Sequence, residues 1–170
     1  MNRNRLLLCA FIGIAAATAP AAWRLPIRVV YNPSASAPLG WYSVDADASP
    51  RVGDYVLAAL PADAATLADQ RGYLPKQVPV LKQVRALAGQ AACVRGDAVL
   101  VDGQRIGSIL HADRRGRPLP AWHDCRRLAD GELFLFGAAN AASFDSRYFG
   151  PVKVSDVRGI AVPLWTWSAP

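Results

Sequence analysis

The strongest constraint on this chain is an uncharged stretch of 18 residues, Leu6–Trp23, that lies close to its start. Its length is at the short end of what spans a bilayer. Two arginines precede it, which predicts a cytoplasmic N-terminus and an exported remainder. Residues 1–24 therefore form either a retained single-pass membrane anchor or a cleavable signal segment, since the small residues at Ala19–Ala22 resemble a cleavage region. The anchor is preferred because the apolar run reaches a tryptophan suited to the interface.

Residues 25–170 are expected to form one exported domain that is mostly β. About 145 residues are enough to bury a single core. Thirteen glycines and thirteen prolines, together with many valines, favour short strands and turns over a helical bundle. Predicted strands include Leu25–Tyr31, Tyr55–Leu60, which Pro61 ends, and Val154–Trp167 at the end of the chain. Asp102-Gly103 is a turn signal that predicts a hairpin of Ala98–Val101 with Gln104–Ile109. Ala62–Gln70 is the only convincing helical stretch in this part of the sequence.

The net charge of +6 does not by itself indicate nucleic-acid binding. The arginines are scattered through turns and form no basic run with aromatic residues, so an anionic membrane surface explains the charge more simply. The charged loop Asp113–Pro120 could contact a substrate or lipid headgroups, or simply be solvated. The two histidines, His111 and His123, lack metal-ligand spacing and there is no C-x-x-C pair, so neither a metal nor a cofactor is expected.

Three cysteines are present, of which Cys93 and Cys125 fall in the exported part. An even pair in an oxidising compartment can form a disulfide. Two unpaired thiols in the core are equally compatible with the spacing.

The loop Asn32–Tyr42 carries two serines, Ser34 and Ser36, between prolines at positions 33 and 38. Prolines restrict the backbone on both sides, so the serine side chains can be held in a fixed direction. The loop is either a polar turn before the next strand or a site in which Ser36 is a nucleophile.

A second candidate residue, Lys82, lies in the stretch Val78–Leu87, which reads as a strand. In that strand Lys82 shares a face with Val80 and Val84. A lysine in an apolar environment has a lowered pKa and can act as a general base. The alternative is a side chain that passes the valines to reach solvent.

The third candidate region is Asn140–Gly150, in which Ser143, Asp145 and Arg147 alternate. Asp145 and Arg147 either brace a loop beside a site or form a surface ion pair of little energetic weight. A serine nucleophile needs a base, and no Ser-His-Asp set can be argued from this sequence. A Ser–Lys pair needs no histidine.

These motifs resemble those of the type I signal peptidase superfamily, in its conjugative-transfer branch of TraF-like pilin-maturation proteases. The resemblance covers nearly the whole chain. It is carried by five motifs and the C-terminal segment Pro163–Trp167: Asn32-x-Ser34-x-Ser36-x-Pro38-x-Gly40, Arg51-x-Gly-Asp54, Val80-Leu-Lys82-x-Val84, Gly116–Pro120 and Ser143–Pro151.

The resemblance implies a role for each candidate residue. Ser36 matches the nucleophile and Lys82 the general base. Ser34 and the backbone N–H of Ser36 match the oxyanion hole, and Ser143 matches the serine that orients the lysine. Asp145 and Arg147 match a structural ion pair beneath the site.

Three supporting positions depart from the family pattern. Ala37 replaces a larger apolar residue after the nucleophile, Gly89-Gln90 replaces Gly-Asp, and a Gly-Asp-Asn motif is reduced to Gly137–Asn140. These departures affect the supporting loops rather than the proposed pair.

The resemblance implies an antiparallel β-sheet or barrel catalytic domain with one N-terminal transmembrane helix, in the bacterial inner membrane with the catalytic domain in the periplasm. The expected substrate is an exported, pilin-like precursor bound as an extended strand. The alternatives are a non-enzymatic β module that scaffolds a secretion or conjugation apparatus, and a general housekeeping signal peptidase.

Overall fold

The computed structural model describes residues 3–22 and 27–168. Its helices are α1 Arg3–Ala22, α2 Ala62–Gln70 and α3 Ser146–Phe149, with a 3-10 turn at Val154–Asp156. The strands are β1 Val29–Asn32, β2 Leu39–Asp45, β3 Tyr55–Ala58, β4 Val80–Leu87, β5 Ala91–Arg95, β6 Ala98–Val101, β7 Gln104–Ser108, β8 Cys125–Arg127, β9 Glu132–Phe136, β10 Val152–Lys153 and β11 Val157–Trp167.

The strands form two antiparallel sheets. The larger has the order β1-β2-β11-β3-β4-β9-β10, and the smaller has the order β7-β6-β5-β8. The predicted antiparallel β architecture is therefore confirmed. Short strands joined by turns are what frequent Gly and Pro favour.

The observed strand boundaries differ from the predicted ones at several places, and the strand that carries Lys82 begins at Val80 rather than at Val78. The first strand begins at Val29 rather than at residue 25, the third ends at Ala58 before Pro61, and the last begins at Val157 because a 3-10 turn precedes it. Residues 25 and 26 of the predicted first strand lie outside the described residues.

Strand β9 packs against a core on each of its faces. Phe134 and Phe136 join the cluster that includes Val94 and Val99 of the smaller sheet. Leu133 and Leu135 join a second cluster within the larger sheet. Because successive side chains of a strand point to opposite faces, burial on both sides accounts for its uninterrupted apolar sequence.

Cys93 and Cys125 are directly opposite each other on β5 and β8 and are joined by a disulfide. The bond ties the short strand β8 to the smaller sheet.

No helix within residues 3–22 and 27–168 has the length and apolar character needed to cross a bilayer. Trp23, which ends the predicted apolar span, lies outside the described residues. The membrane anchor stays a prediction.

An aromatic patch lies on β1, β2 and β11, at one end of the larger sheet and beside the serine loop. Tyr31, Trp41, Trp165 and Trp167 are all exposed. The rings of Tyr31 and Trp41 lie 5.1 Å apart, and those of Trp165 and Trp167 lie 6.2 Å apart. Large exposed apolar patches of this kind mark interaction surfaces.

Candidate active site

The serine loop between β1 and β2 is held in shape by the buried side chain of Asn32. Its amide nitrogen donates to the carbonyl oxygens of Ser34 at 2.9 Å, Ala37 at 3.2 Å and Pro38 at 3.0 Å. Its amide oxygen accepts from the backbone N–H of Ser34 at 3.1 Å and from the Ser34 hydroxyl at 3.0 Å. One side chain thus fixes both ends of the loop that carries the two serines.

Ser36 belongs to this loop and is 8% exposed. The next residue, Ala37, packs in one buried cluster with Leu81, the neighbour of Lys82. Within the described part of the chain, nothing accepts a hydrogen bond from the Ser36 backbone N–H. That donor is available to an incoming group.

Lys82 is 5% exposed and its amine donates to the Ser143 hydroxyl at 2.8 Å. The expectation that Lys82 faces the apolar side of β4 is met, and the alternative of a side chain reaching solvent is wrong. Burial lowers the pKa of Lys82 from 10.5 to about 8, with a smaller upward effect of Asp145 and a downward effect of Arg147. About a tenth of the amine is therefore neutral at pH 7, a far larger fraction than for an exposed lysine.

Gly137, just after β9, lies where Ser36 and Ser143 approach each other. A Cβ at this position would lie 2.2 Å from Ser143 Oγ and 3.3 Å from Ser36 Cβ. Because Ser143 Oγ also accepts from Lys82, the three predicted side chains converge on a position that only glycine can occupy without displacing them.

Asp145 and Arg147 form a buried ion pair rather than a surface one. Their side chains are 0% and 2% exposed, and Arg147 Nε lies 2.8 Å from Asp145 Oδ1. The other carboxylate oxygen accepts from the backbone N–H of Gly137 at 2.8 Å. Arg147 also donates to the backbone carbonyl of Ser143 at 3.0 Å. The pair therefore fixes the backbone at Gly137 and at Ser143, and Ser143 is the hydrogen-bond partner of Lys82.

Ser34, Ser36, Lys82 and Ser143 line one open cavity of about 600 Å³. His111 lies outside its lining and pairs instead with Asp97 at 2.8 Å. A serine and a buried amine of lowered pKa in one cleft can carry out nucleophilic attack assisted by a base. This arrangement is the kind required by a serine hydrolase that uses no histidine.

The sequence reasoning gave no role to Asn32 or Gly137. The Asn-Pro start of the serine loop was a usable signal for Asn32, since Asn side chains commonly bond to the backbone of the turn that follows. Gly137 had no such signal, because its neighbours Ser36 and Ser143 come from separate loops of the chain.

The profile of the family described as "Signal peptidase, peptidase S26" matches residues 3–167. The chain therefore belongs to the S26 signal peptidase family.

Several curated relatives are named as transfer proteins. The chain is 32% identical over 146 residues to the plasmid transfer protein TraF of Escherichia coli, covering 80% of this chain and 82% of the relative. It is 33% identical over 162 residues to the probable conjugal transfer protein TraF of Sinorhizobium fredii (strain NBRC 101917 / NGR234), covering 91% of this chain and 85% of that one. Identity to the conjugal transfer protein TraF of Agrobacterium fabrum (strain C58 / ATCC 33970) is 33% over 146 residues, with 80% and 81% covered. The TraF-like resemblance inferred from the motifs is thus confirmed.

Among solved structures, a crystal structure of a signal peptidase I from Enterococcus faecalis V583 is similar, with a TM-score of 0.42 and 20% sequence identity. The similarity covers 66% of this chain and 97% of that one.

Proposed function

We propose that the protein is a membrane-anchored serine endopeptidase that matures an exported precursor, most specifically a conjugative pilin subunit. Ser36 is the nucleophile and Lys82 the general base. The peptidase activity follows from membership of the S26 family, and the link to conjugation rests on relatives named as conjugal or plasmid transfer proteins.

One observation carries the proposed chemistry. The Lys82 amine is buried and hydrogen-bonded to Ser143, and it lines the same cavity as Ser36. A buried lysine without a carboxylate in hydrogen-bond contact is costly to keep charged. The neutral amine can accept a proton, so Lys82 is suited to act as a general base.

In the first chemical step, neutral Lys82 takes the hydroxyl proton of Ser36 as Ser36 Oγ attacks the scissile carbonyl carbon. The carbonyl oxygen becomes an oxyanion, which accepts a hydrogen bond from the Ser36 backbone N–H. Ser34 donates the second bond after its hydroxyl rotates away from Asn32. One such donor is typically worth about 2.7–4 kcal/mol in the transition state.

Collapse of the intermediate breaks the C–N bond, and the charged Lys82 gives its proton to the leaving amine. The acyl group is now an ester of Ser36. Water attacks this ester with Lys82 again as base, which regenerates Ser36 and releases a carboxylic acid. If the amino terminus of the same substrate attacks instead, the product is a cyclic chain that contains one water molecule less.

The aromatic patch supports a site close to a membrane. Trp165 and Trp167 belong to β11, whose end pairs with β2 where the serine loop closes. Exposed tryptophans favour the membrane–water interface. The proposed localisation is the bacterial inner membrane, with the catalytic part in the periplasm.

Co-expression with a conjugative pilin precursor tests the proposal. We expect the wild type to shorten the precursor at one position and Ser36→Ala to leave it intact, as observed by mass spectrometry of the membrane fraction. Ser155→Ala, which changes an exposed serine outside the cavity lining, is the matched control and should process normally. Processing that continues with Ser36→Ala would exclude the nucleophile. An intact precursor with wild type and variants alike would favour the scaffolding alternative.

Gly137→Ala should lower the processing rate by about 10²-fold or more, because displacement of a catalytic group by about 1 Å has an effect of that size. The added methyl group requires Ser143 to move away from Lys82. The measurement is the rate of precursor cleavage by purified protein at equal folded concentration.

Gly159→Ala is the control for crowding alone. A Cβ there would lie 2.5 Å from the backbone carbonyl oxygen of Asp45, and its nearest neighbours, Val44 and Asp45, do not line the cavity. This variant should lose stability while its folded fraction keeps its activity. Equal activity losses in the two variants would contradict a specific role for Gly137.

A further inference from the structure

One wall of the catalytic cavity is strongly basic. Among the described residues that line it are four arginines and a single carboxylate, that of Asp113. The arginines are contributed by the C-terminal end of α2 and by the loop before β8, namely Arg71, Arg114, Arg115 and Arg117. The proposed reaction uses none of them.

Both carboxylate oxygens of Asp113 are already occupied by hydrogen bonds within this wall, and none of them comes from the guanidinium groups of Arg114 or Arg115. One of its oxygens accepts from the backbone N–H groups of Arg115 at 2.9 Å and Arg117 at 3.0 Å. The other accepts from the Tyr73 hydroxyl and from Arg117 Nε, the latter at 2.7 Å. Partial desolvation opposes ionisation, but the hydrogen bonds from Tyr73, Arg117 and Arg115 outweigh it and hold the pKa of Asp113 well below its usual range. Asp113 therefore serves to fix the loop.

Two of the four arginines also serve the loop. Arg71 donates to the carbonyl oxygen of Pro118 at 2.8 Å. Arg117 donates to the carbonyl oxygen of Arg71 at 3.2 Å, and its guanidinium lies 5.5 Å from the centre of the Tyr73 ring. These contacts join α2 to the loop and hold it beside the cavity.

Arg114 and Arg115 differ from the other two. Both are exposed and both line the cavity. Their guanidinium groups form no ion pair or hydrogen bond with any other described residue. Two unpaired cations are thus held at the rim of the cleft by a loop that is itself tightly fixed.

We propose that Arg114 and Arg115 bind carboxylate groups of the peptide that occupies the cleft, so that the preferred substrate is acidic near its cleaved bond. This inference rests on the proposed function, because it assigns a substrate class to the same cleft. Guanidinium groups match carboxylates in geometry and can form two parallel hydrogen bonds. A pre-fixed loop reduces the entropy lost on binding.

A peptide is favoured over a lipid headgroup because the two arginines line the same cavity as Ser36 and Lys82. The exposed tryptophans, which are suited to a membrane surface, belong to β11 and do not line this cavity.

Peptide binding to the full-length Ser36→Ala protein in neutral detergent micelles tests the inference. The probes are a fluorescent peptide of alternating alanine and glutamate and the same peptide with glutamine for glutamate. By fluorescence anisotropy we expect the glutamate peptide to bind about tenfold tighter or more, an effect typical of charge-assisted hydrogen bonds. The difference should shrink as salt is added.

Arg114→Gln with Arg115→Gln should abolish the preference for glutamate, and the matched pair Arg95→Gln with Arg105→Gln should keep it. Arg95 and Arg105 are exposed and lie outside the cavity lining, so this control removes equal charge. Equal binding of the two peptides, or a preference that survives in Arg114→Gln/Arg115→Gln, overturns the inference.

Vesicles of neutral and anionic phospholipid provide the last comparison. If Arg114→Gln/Arg115→Gln weakens binding to anionic vesicles and leaves peptide binding unchanged, the arginines serve the membrane and the inference fails. The readout is separate from that of the proposed function, since it measures binding by a variant that lacks Ser36. Precursor cleavage by the wild type can therefore succeed or fail independently of it.

Discussion

Lys82→Met will stabilise the folded protein at pH 7 by on the order of 3 kcal/mol and lower its proposed activity by orders of magnitude. Burial lowers the pKa of Lys82 from 10.5 to about 8, and each unit of pKa corresponds to about 1.4 kcal/mol. Methionine has a similar length and no charge to desolvate. Ser143 loses its hydrogen-bond donor in this variant, which offsets part of the gain.

The gain in stability has a defined pH window. Below pH about 8 the amine is charged in both the folded and the unfolded state, so the folded wild type carries the full cost of desolvation. Between about 8 and 10.5 the unfolded state binds more protons, and the stability of the wild type therefore rises with pH. The difference between Lys82→Met and the wild type should be largest at neutral pH and small near pH 10.5.

Denaturant unfolding of both proteins at several pH values measures this difference. Lys153→Met is the matched control, because Lys153 is also a strand lysine but is exposed, and it should leave stability nearly unchanged. A Lys82→Met protein that is less stable than wild type at neutral pH would contradict the assignment of a costly buried amine.

The activity of Lys82→Met should fall by roughly 10²–10⁴-fold, the usual contribution of a general base. In the wild type, the rate should rise with pH and level off above about 8, since only the neutral amine accepts the Ser36 proton. The measurement is precursor cleavage across this pH range. A rate independent of pH through this range would contradict Lys82 as the base.

Features set by local periodicity could be predicted from the sequence. Helix α2 has the predicted bounds, Ala62–Gln70. The facing of Lys82 followed from the alternation of side chains along one strand, and the structure has it buried. The hairpin of β6 and β7 around Asp102-Gly103 was also predicted, because this dipeptide is a strong turn signal.

Features that depend on contacts between distant parts of the chain could not be predicted in the same way. The proximity of Gly137 to both Ser36 and Ser143 brings the loop between β1 and β2 against the segment that follows β9, two parts of the chain that are far apart in sequence. The short strands β5 and β8 were not predicted either, because the apolar pattern of β5 is brief and β8 is only three residues long, two of them arginines. Sequence spacing alone also left open whether Asp145 and Arg147 are buried, since the same spacing occurs in surface ion pairs.

Arg147→Ala should destabilise the protein by about 3–5 kcal/mol, the usual cost of removing one partner of a buried ion pair. Such a loss is a large fraction of the stability of a typical domain. The Arg147 side chain is 2% exposed and donates to the Asp145 carboxylate through Nε at 2.8 Å and Nη2 at 2.9 Å. Its removal leaves that carboxylate buried without its cation.

The backbone near the site loses further donors in this variant. Arg147 donates to the carbonyl oxygens of Ser108 at 2.9 Å, Ala141 at 3.2 Å and Ser143 at 3.0 Å. We therefore expect the folded fraction of Arg147→Ala to process precursor more slowly, because Ser143 is no longer held against Lys82. Arg147→Lys should recover only part of the stability, since lysine keeps the charge and lacks the fork of donors.

Arg126→Ala is the control for the effect of burial. Arg126 also forms a two-point pair with a carboxylate, at 2.6 and 2.9 Å from Glu132, but its side chain is 38% exposed. Exposed pairs usually contribute at most about 1 kcal/mol, so this variant should unfold at nearly the wild-type denaturant concentration. Equal losses of stability for Arg147→Ala and Arg126→Ala would show that burial does not determine how much such an ion pair stabilises the protein. A loss confined to Arg147→Ala, together with slower processing, would identify this ion pair as the element that holds Ser143 in place for Lys82.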